Sequence, residues 1–272
     1  MKPWSKTTFG FRQIGCTLAV VLAAAALAAV FFVAPTERTM GPAQKIVYVH
    51  VAMAWLALAG FLLVAGASVV YLVRRDLRYD DWALAAAELG WLCCGLTLVT
   101  GSLWARAAWG TWWTWDPRLT AAFILWCIYS GYLVLRSNVE APHQRARVAA
   151  VLAVVGALDV PLVVMATRWF RGIHPASPGM EPLMRVVLLL GVLGFTAFFA
   201  MLLTRRRAQI RLERLLACLE QQVEAGPPFG AGLLTPPTSR HGMWHGQETV
   251  PQRLVPQRSG RPSSIRDPRG SS

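Results

Sequence analysis

Long apolar runs separated by short polar connections fill the first 204 residues of this chain. Six runs approach or exceed the ~20 residues that a helix needs to cross a bilayer. They cover residues 14–34, 51–73, 82–104, 119–135, 148–167 and 186–204, and two of them contain an acid, Glu88 and Asp159. None shows the strict polar alternation of membrane β-strands. The pattern predicts an all-α integral membrane protein, a bundle of six transmembrane helices within a domain of residues 1–224.

The two ends of the chain follow different patterns. The first run is preceded by basic residues, as in a signal peptide, but its uninterrupted length favours a retained helix. After the sixth run, leucines at helical spacing among charges predict an amphipathic helix over residues 205–224. Residues 225–272 are rich in Gly, Pro, Ser and Arg and hold few apolar residues. That composition predicts a disordered cytoplasmic tail.

Composition and charge agree with a membrane location. The chain is 55% hydrophobic, has twelve tryptophans and carries a net charge of +13. Counted by connection, fourteen basic residues fall on one side and seven on the other. The fourteen are Lys2, Lys6, Arg12, Arg74, Arg75, Arg78, Arg136, Arg145, Arg147, Arg205, Arg206, Arg207, Arg211 and Arg214. The positive-inside rule then places both termini in the cytoplasm, and the charge indicates contact with anionic lipid rather than nucleic acid.

Several classes of chemistry lack their usual sequence motifs. The chain has no P-loop, dinucleotide glycine pattern, G-x-S-x-G or H-E-x-x-H. Its five cysteines form no C-x-x-C pair, and four of them lie inside predicted spans. The sequence therefore gives no ground for an ATPase, a dehydrogenase, a hydrolase or a thiol redox site. Any chemistry would come from a bound cofactor.

A tryptophan-rich stretch, residues 104–120, lies between the third and fourth spans. It reads W-A-R-A-A-W-G-T-W-W-T-W-D-P-R-L-T, with tryptophans at 104, 109, 112, 113 and 115. An aromatic belt would spread such residues over both interfaces, so this concentration favours a platform for a flat apolar ligand. A surface helix could also present Trp109, Trp112, Trp113 and Asp116 on one face. Asp116 followed by a proline is typical of a helix start, so a helix is predicted from Pro117.

Two of the five histidines fall on the same predicted outer side as these tryptophans. His50 lies at the mouth of the second span and His174 in the connection between the fifth and sixth. Either alone would more often be a hydrogen-bonding residue at an interface. Together with an aromatic platform they suit a haem, which takes two axial nitrogens and lies against aromatic rings. Met53 and Met180 lie near the same face and are the alternative ligands.

The stretch W-G-T-W-W-T-W-D-P-R-L-T, residues 109–120, resembles the WWD signature of haem-handling membrane proteins, most closely the six-span CcmC family of cytochrome c maturation. Three further segments resemble the same family. They are K-I-V-Y-V-H at residues 45–50, L-V-T-G-S-L-W at 98–104 and R-W-F-R-G-I-H at 168–174. The resemblance covers about residues 14–224.

This resemblance implies a site, a task and partners. It places the axial haem ligands on His50 and His174, and further haem contacts on Trp109, Trp112, Trp113, Trp115 and Asp116. It implies that haem b is held at the outer face of the bacterial cytoplasmic (inner) membrane and loaded onto a CcmE-like haem chaperone. CcmA-like and CcmB-like ABC-transporter subunits and a small CcmD-like protein are the implied partners. On this interpretation the protein transfers haem and is not an enzyme.

Two other functions remain open at this point. A CcsA-like subunit of a cytochrome c synthetase would itself join haem to apocytochrome. It usually has more spans and a further outward histidine, so six spans with one signature favour CcmC. A secondary transporter would use the acids within spans, Glu88 and Asp159, because such acids are costly and usually functional. Asp159 could instead be a hydrogen-bonded acid at the turn that Pro161 weakens.

Overall fold

The computed structural model describes residues 6–38, 40–170, 172, 174 and 180–224. These residues form seven α-helices and no strand. The helices are α1 (Lys6–Phe32), α2 (Lys45–Arg74), α3 (Leu77–Trp109), α4 (Pro117–Ser137), α5 (Pro142–Ala157), α6 (Asp159–Trp169) and α7 (Pro182–Glu224), with a 3-10 turn over Pro42–Gln44 before α2. The predicted disordered tail, residues 225–272, lies outside the described residues.

The prediction of an all-α bundle with six spans is confirmed. Within the described part of the chain, six helical segments are long and apolar enough to cross a membrane. The fifth consists of α5 and α6, which meet at Leu158, three residues before Pro161. A proline cannot donate the backbone hydrogen bond that would join the two helices there. The other helices extend past at least one end of their apolar runs, into the neighbouring charged residues.

Glycines bring α2 and α3 into close contact at the centre of the bundle. A Cβ placed on Gly60 would lie 3.1 Å from the Cα of Gly90, so the two backbones touch where neither residue has a side chain. Next to this contact Phe61 stacks on Tyr129 of α4, with ring centroids 3.9 Å apart. All three helices thus share one buried core, which fixes the position of α3 relative to α2.

A glycine also brings α1 and α7 into close contact. α1 packs on α7, where a Cβ on Gly194 would lie 2.9 Å from the carbonyl oxygen of Leu22. Most of α1 beyond this contact is exposed and apolar, with Phe32 and Ile14 among its exposed side chains. Such a surface suits the hydrocarbon of a bilayer and not water. α1 therefore lies at a lipid-facing edge of the bundle and is attached mainly through α7.

Ion pairs tie α7 to the end of the bundle where α3 begins. Arg136 of α4 donates to both oxygens of the buried Asp80, at 2.6 and 2.8 Å. Arg214 of α7 lies 2.5 Å from Asp81. At 43 residues, α7 is about 64 Å long, roughly twice the thickness of the hydrocarbon core. The predicted amphipathic segment 205–224 is its continuation, and these pairs hold it against α3.

Glu88 belongs to the same set of contacts. Its carboxylate accepts hydrogen bonds from Arg206 at 2.5 and 2.9 Å. The acid within the third span is thus neutralised by a cation of α7, which satisfies the main cost of placing it there. A transporter role is not needed to explain it. Asp159 is different, because its Oδ2 is buried without a hydrogen-bond partner among the described residues, at the break before α6.

Candidate functional site

A cavity of about 790 Å³ opens between α2, α3 and the start of α4. Pockets for cofactors and drug-sized ligands typically fall in the range of roughly 300–1,000 Å³. It is lined by His50 and His174, the two histidines predicted to lie on the outer side of the membrane. We call it the histidine cavity. Most of its wall is apolar, formed by residues such as Val51, Leu98 and Leu125.

His50 reaches this cavity because α3 leaves room for its ring. It is the sixth residue of α2, and a Cβ on Gly101 would lie 2.8 Å from its Cε1 atom. No residue larger than glycine fits between the two helices at this point. The apolar and small positions of α3 that line the cavity, Thr97, Gly101, Trp104, Ala105 and Ala108, follow helical spacing and so share one face.

Hydrogen bonds determine which nitrogen of His50 is protonated. Its Nδ1 lies 3.1 Å from the hydroxyl oxygen of Thr100. That hydroxyl already donates to the carbonyl of Leu96 at 2.7 Å, so it can only accept from the imidazole. Nδ1 therefore carries the proton and Nε2 keeps a free lone pair. A histidine that donates from one nitrogen to a neighbour and offers the other is in the state that binds metals.

His174 approaches from the connection between α6 and α7. It is half-buried and lines the same cavity as His50. The two residues are 124 positions apart in the sequence, and the fold brings them to one space. The alternative ligands do not share it. Met53 packs in the core with Leu56, Met180 packs with Tyr48 and Val187, and neither is among the described residues that line the cavity.

The WWD loop, residues 110–116, is not helical, so the surface-helix alternative is wrong. α3 ends at Trp109, and Gly110 closes it with a φ of 74°, a conformation that glycine adopts without strain. Ser102 donates to the carbonyl of Trp112 at 2.8 Å and ties the loop back to α3. The Arg106 side chain also donates to the carbonyl of Gly110 and lies over the ring of Trp112.

The tryptophans of this region divide between two sides. Trp104, Trp109 and Trp113 line the histidine cavity. Trp104 and Trp109 meet edge to face, with centroids 4.8 Å apart. Trp112 is 54% exposed and Trp115 is 72% exposed, and both lie outside the described lining of the cavity. The platform predicted from the sequence is therefore split: part of it faces the histidines and part faces outward.

Asp116 lies between the loop and the His174 connection. Its Oδ1 accepts from the backbone N–H of Leu119 at 2.9 Å, which makes it the N-cap of α4 and confirms the predicted helix start. Its Oδ2 is buried without a partner among the described residues, and a Cβ on Gly172 would lie 3.2 Å from it. Asp116 does not line the cavity. Its side chain packs closely against Gly172, two residues before His174.

Arg118 adds a positive charge to the cavity wall. Its side chain is half-buried there, and the neighbouring carboxylate of Asp116 favours its charge. It is the second residue of α4, where the helix dipole disfavours a cation. A buried cation in such a place is stabilised by an anion. The Nε1 donors of Trp104 and Trp113, also buried at this wall, have no partner in the described chain.

Comparison with known proteins identifies the family. A family model described as CcmC, heme exporter protein C, matches residues 5–220. This chain belongs to the CcmC family. Heme exporter protein C of Paracoccus denitrificans is 36% identical over 228 residues, which cover 79% of this chain and 95% of the relative. The protein of that name from Rhodobacter capsulatus is 38% identical over 201 residues, covering 71% of this chain and 83% of the relative.

A relative of lower identity is named as a mitochondrial protein. A ccmC-like mitochondrial protein of Marchantia polymorpha, named for cytochrome c biosynthesis, is 32% identical over 170 residues. The match covers 62% of this chain and 72% of the relative. The suspected CcmC membership is thus confirmed along the whole six-span domain.

Three residues at the histidine cavity were missed from the sequence, namely Thr100, Gly101 and Arg118. Gly101 and Trp104 have helical spacing with Thr97, and that pattern on a span would have indicated a face shaped for something other than lipid. Arg118 in the first turn of a helix also indicated a special position, because the helix dipole disfavours a cation there. Thr100 gave no signal, since threonines inside spans usually bond to their own helix.

Proposed function

We propose that this protein binds haem b in the histidine cavity and delivers it to a CcmE-like chaperone for c-type cytochrome biogenesis. The observation that carries the proposal is the placement of His50 and His174 on one cavity whose wall is mostly apolar, with Arg118 and Glu37 as its charged members. Bound haem would supply an iron that takes two axial nitrogens and a flat apolar ring.

Each type of residue at the cavity suits one part of such a ligand. His50 would offer its Nε2 to the iron, and His174 would provide the second nitrogen. Trp109 and Trp113 offer ring surfaces for the porphyrin. Arg118 and the unpartnered Nε1 donors of Trp104 and Trp113 suit the two carboxylate side chains of haem. The donor set therefore fits haem at its metal, its ring and its charged edge.

The relatives support the same task. They are described as heme exporters, and the Marchantia relative is named for cytochrome c biosynthesis. We infer that the WWD loop and both histidines lie on the outer side of a bacterial cytoplasmic membrane, with both termini in the cytoplasm. The proposed partners are the chaperone, CcmA-like and CcmB-like transporter subunits and a CcmD-like small protein. The match of the CcmC model over residues 5–220 favours transfer over a CcsA-like synthetase activity.

Delivery can be measured with the chaperone as the acceptor. The protein and a CcmE-like chaperone are produced together, and the haem carried by the purified chaperone is measured. His50→Gly and His174→Gly should abolish most of it. His143→Gly is the matched control, because His143 is exposed at the other end of the bundle, beside Tyr71. A chaperone that loads equally with all three variants contradicts the proposal, and haem joined to apocytochrome without the chaperone would support the synthetase instead.

A further inference from the structure

A second space, a groove of about 640 Å³, lies between α3 and α4 beside the histidine cavity. We call it the side groove. Its described lining is almost entirely apolar, with Ser102 as the one hydroxyl. It consists of Gly95, Leu98, Val99, Ser102, Leu103, Trp113, Trp115, Phe123 and Trp126. None of these side chains is a good ligand for iron.

Aromatic rings give the side groove flat walls. Phe123 stacks on Trp126 with an interplanar angle of 25°. Trp113 and Trp115 both meet Phe123 edge to face, with centroids 6.2 Å away. A lipid chain is flexible and needs no such planes, whereas a flat macrocycle gains from offset and edge contacts with them. The shape therefore favours a planar apolar ligand over an acyl chain.

The side groove opens towards lipid. Val99 is 59% exposed and Trp115 is 72% exposed, and Val99 is part of an apolar span. Exposed apolar side chains on a span face the hydrocarbon of the bilayer. A molecule dissolved in the membrane can reach the side groove without crossing water.

The side groove and the histidine cavity share a wall. Leu98, Ser102 and Trp113 line both spaces. Ser102 also holds the WWD loop through its bond to the carbonyl of Trp112, next to Trp113. The partition thus consists of two α3 side chains and one loop tryptophan. Of these three residues, Trp113 lies in the loop and the other two lie on α3.

We propose that the side groove is the entry site through which haem passes sideways from the membrane, past Trp113, into the histidine cavity. This inference rests on the proposed function. The side groove holds the ring but has no ligand for the iron, and the histidine cavity has ligands and a cation. The ligand therefore moves from the first space to the second and is retained there.

Loading kinetics test the entry site. Haem-free protein is reconstituted in phosphatidylcholine vesicles, haemin is dissolved in the bilayer, and growth of the Soret band is followed. Val99→Trp fills the side groove without touching the histidine cavity, and should slow loading by about tenfold or more. The final haem content and spectrum should equal those of the wild type. Leu103→Trp is a second blocking variant with the same expected result, and the normal final spectrum shows that each variant has folded.

Leu193→Trp on α7 is the control, since Leu193 is equally exposed but lies outside both spaces. It should load at the wild-type rate. Equal rates in all variants, with a normal final spectrum, would overturn the entry site while leaving haem binding intact. Equal slowing by Leu193→Trp would overturn it as well, because the effect would then come from the membrane surface in general. A wild type that never develops the bound spectrum would refute the proposed function, and the entry site with it.

Discussion

At the scale of single residues, Thr100 decides which nitrogen of His50 can bind a metal. The hydroxyl of Thr100 is committed to the carbonyl of Leu96 and can only accept from Nδ1. The imidazole also hydrogen-bonds the backbone of Thr97, so Thr100 is one of two α3 partners that orient the ring. Partners of this kind commonly affect metal affinity by about 10- to 100-fold.

Thr100→Val should therefore weaken haem binding by about 10- to 100-fold while the protein still inserts and folds. Valine keeps the shape of threonine but offers no oxygen to the imidazole. Haem titration of the purified variant in detergent measures the change. Thr100→Ser, which restores the hydroxyl, should bind almost as the wild type does. If Thr100→Val binds haem normally, the ring of His50 is oriented by something else.

Arg118 is expected to act on the carboxylates of haem and not on its iron. Arg118→Gln should cost about 1.5–3 kcal/mol, the worth of a hydrogen bond to a charged group, or roughly 10- to 100-fold in Kd. Haem dimethyl ester, in which both carboxylates are esterified, provides the control. It should bind wild type and Arg118→Gln equally. A loss of the same size with the ester would mean that Arg118 supports the fold of the cavity instead.

The sequence predicted the residues whose chemistry is local or distinctive. Asp116 before a proline is a helix N-cap by its own chemistry, and the structure confirms it. The two histidines could be nominated because the predicted topology places both on the side of the tryptophans, where two imidazoles and aromatic rings suit a haem. Gly101 and Thr100 could not be nominated, because they reach His50 only when α2 and α3 pack in the observed register. That register follows from the packing of Gly60 on Gly90 and not from either segment alone.

At the scale of elements, the WWD loop gives its tryptophans unequal positions. Trp113 lines both the histidine cavity and the side groove, whereas Trp112 is held outside by Arg106. The sequence alone gives no reason to expect different positions for Trp112 and Trp113. Their separation follows from the non-helical backbone between Gly110 and Pro117, in which the helical spacing of side chains is lost.

Trp113→Ala should consequently lower haem content more than Trp112→Ala does. The loss of ring contact is worth about 0.5–1.5 kcal/mol beyond the area that it buries, so each single effect should be partial. Copurified haem per polypeptide measures it, and the double variant shows whether the two losses add. Equal, small losses in both single variants would indicate that these rings anchor the loop and do not contact the ligand.

At the scale of the whole molecule, the number of spans followed from the length of the apolar runs, but their boundaries did not. α3 runs from Leu77 to Trp109, beyond the predicted 82–104. Asp76 caps its first turn, and arginines of other helices neutralise Asp80 and Asp81. Such partners lie far away in the sequence. The ion pair between Glu88 and Arg206 could not be predicted either, because the two residues are far apart in the sequence.

The orientation of the bundle is a separate prediction, based on the distribution of basic residues. Single cysteines introduced at Gly110 and Gly172 should react with a membrane-impermeant thiol reagent in whole cells. Cysteines at Arg78, Asn138 and Glu220 should react only after the membrane is opened. The native cysteines are replaced first, since Cys127 and Cys218 are exposed. Protection of Gly110 in whole cells would place the histidine cavity on the cytoplasmic side.

The central claim is that His50 and His174 together bind one haem iron, and the absorption spectrum of the haem-loaded protein tests it most directly. Two imidazoles fill both axial positions, so the wild type should show six-coordinate, low-spin haem. His50→Gly and His174→Gly should each give five-coordinate or water-bound iron, and added imidazole should restore the low-spin spectrum. Met53 and Met180 variants should leave it unchanged. A low-spin spectrum that survives the loss of either histidine would contradict the account.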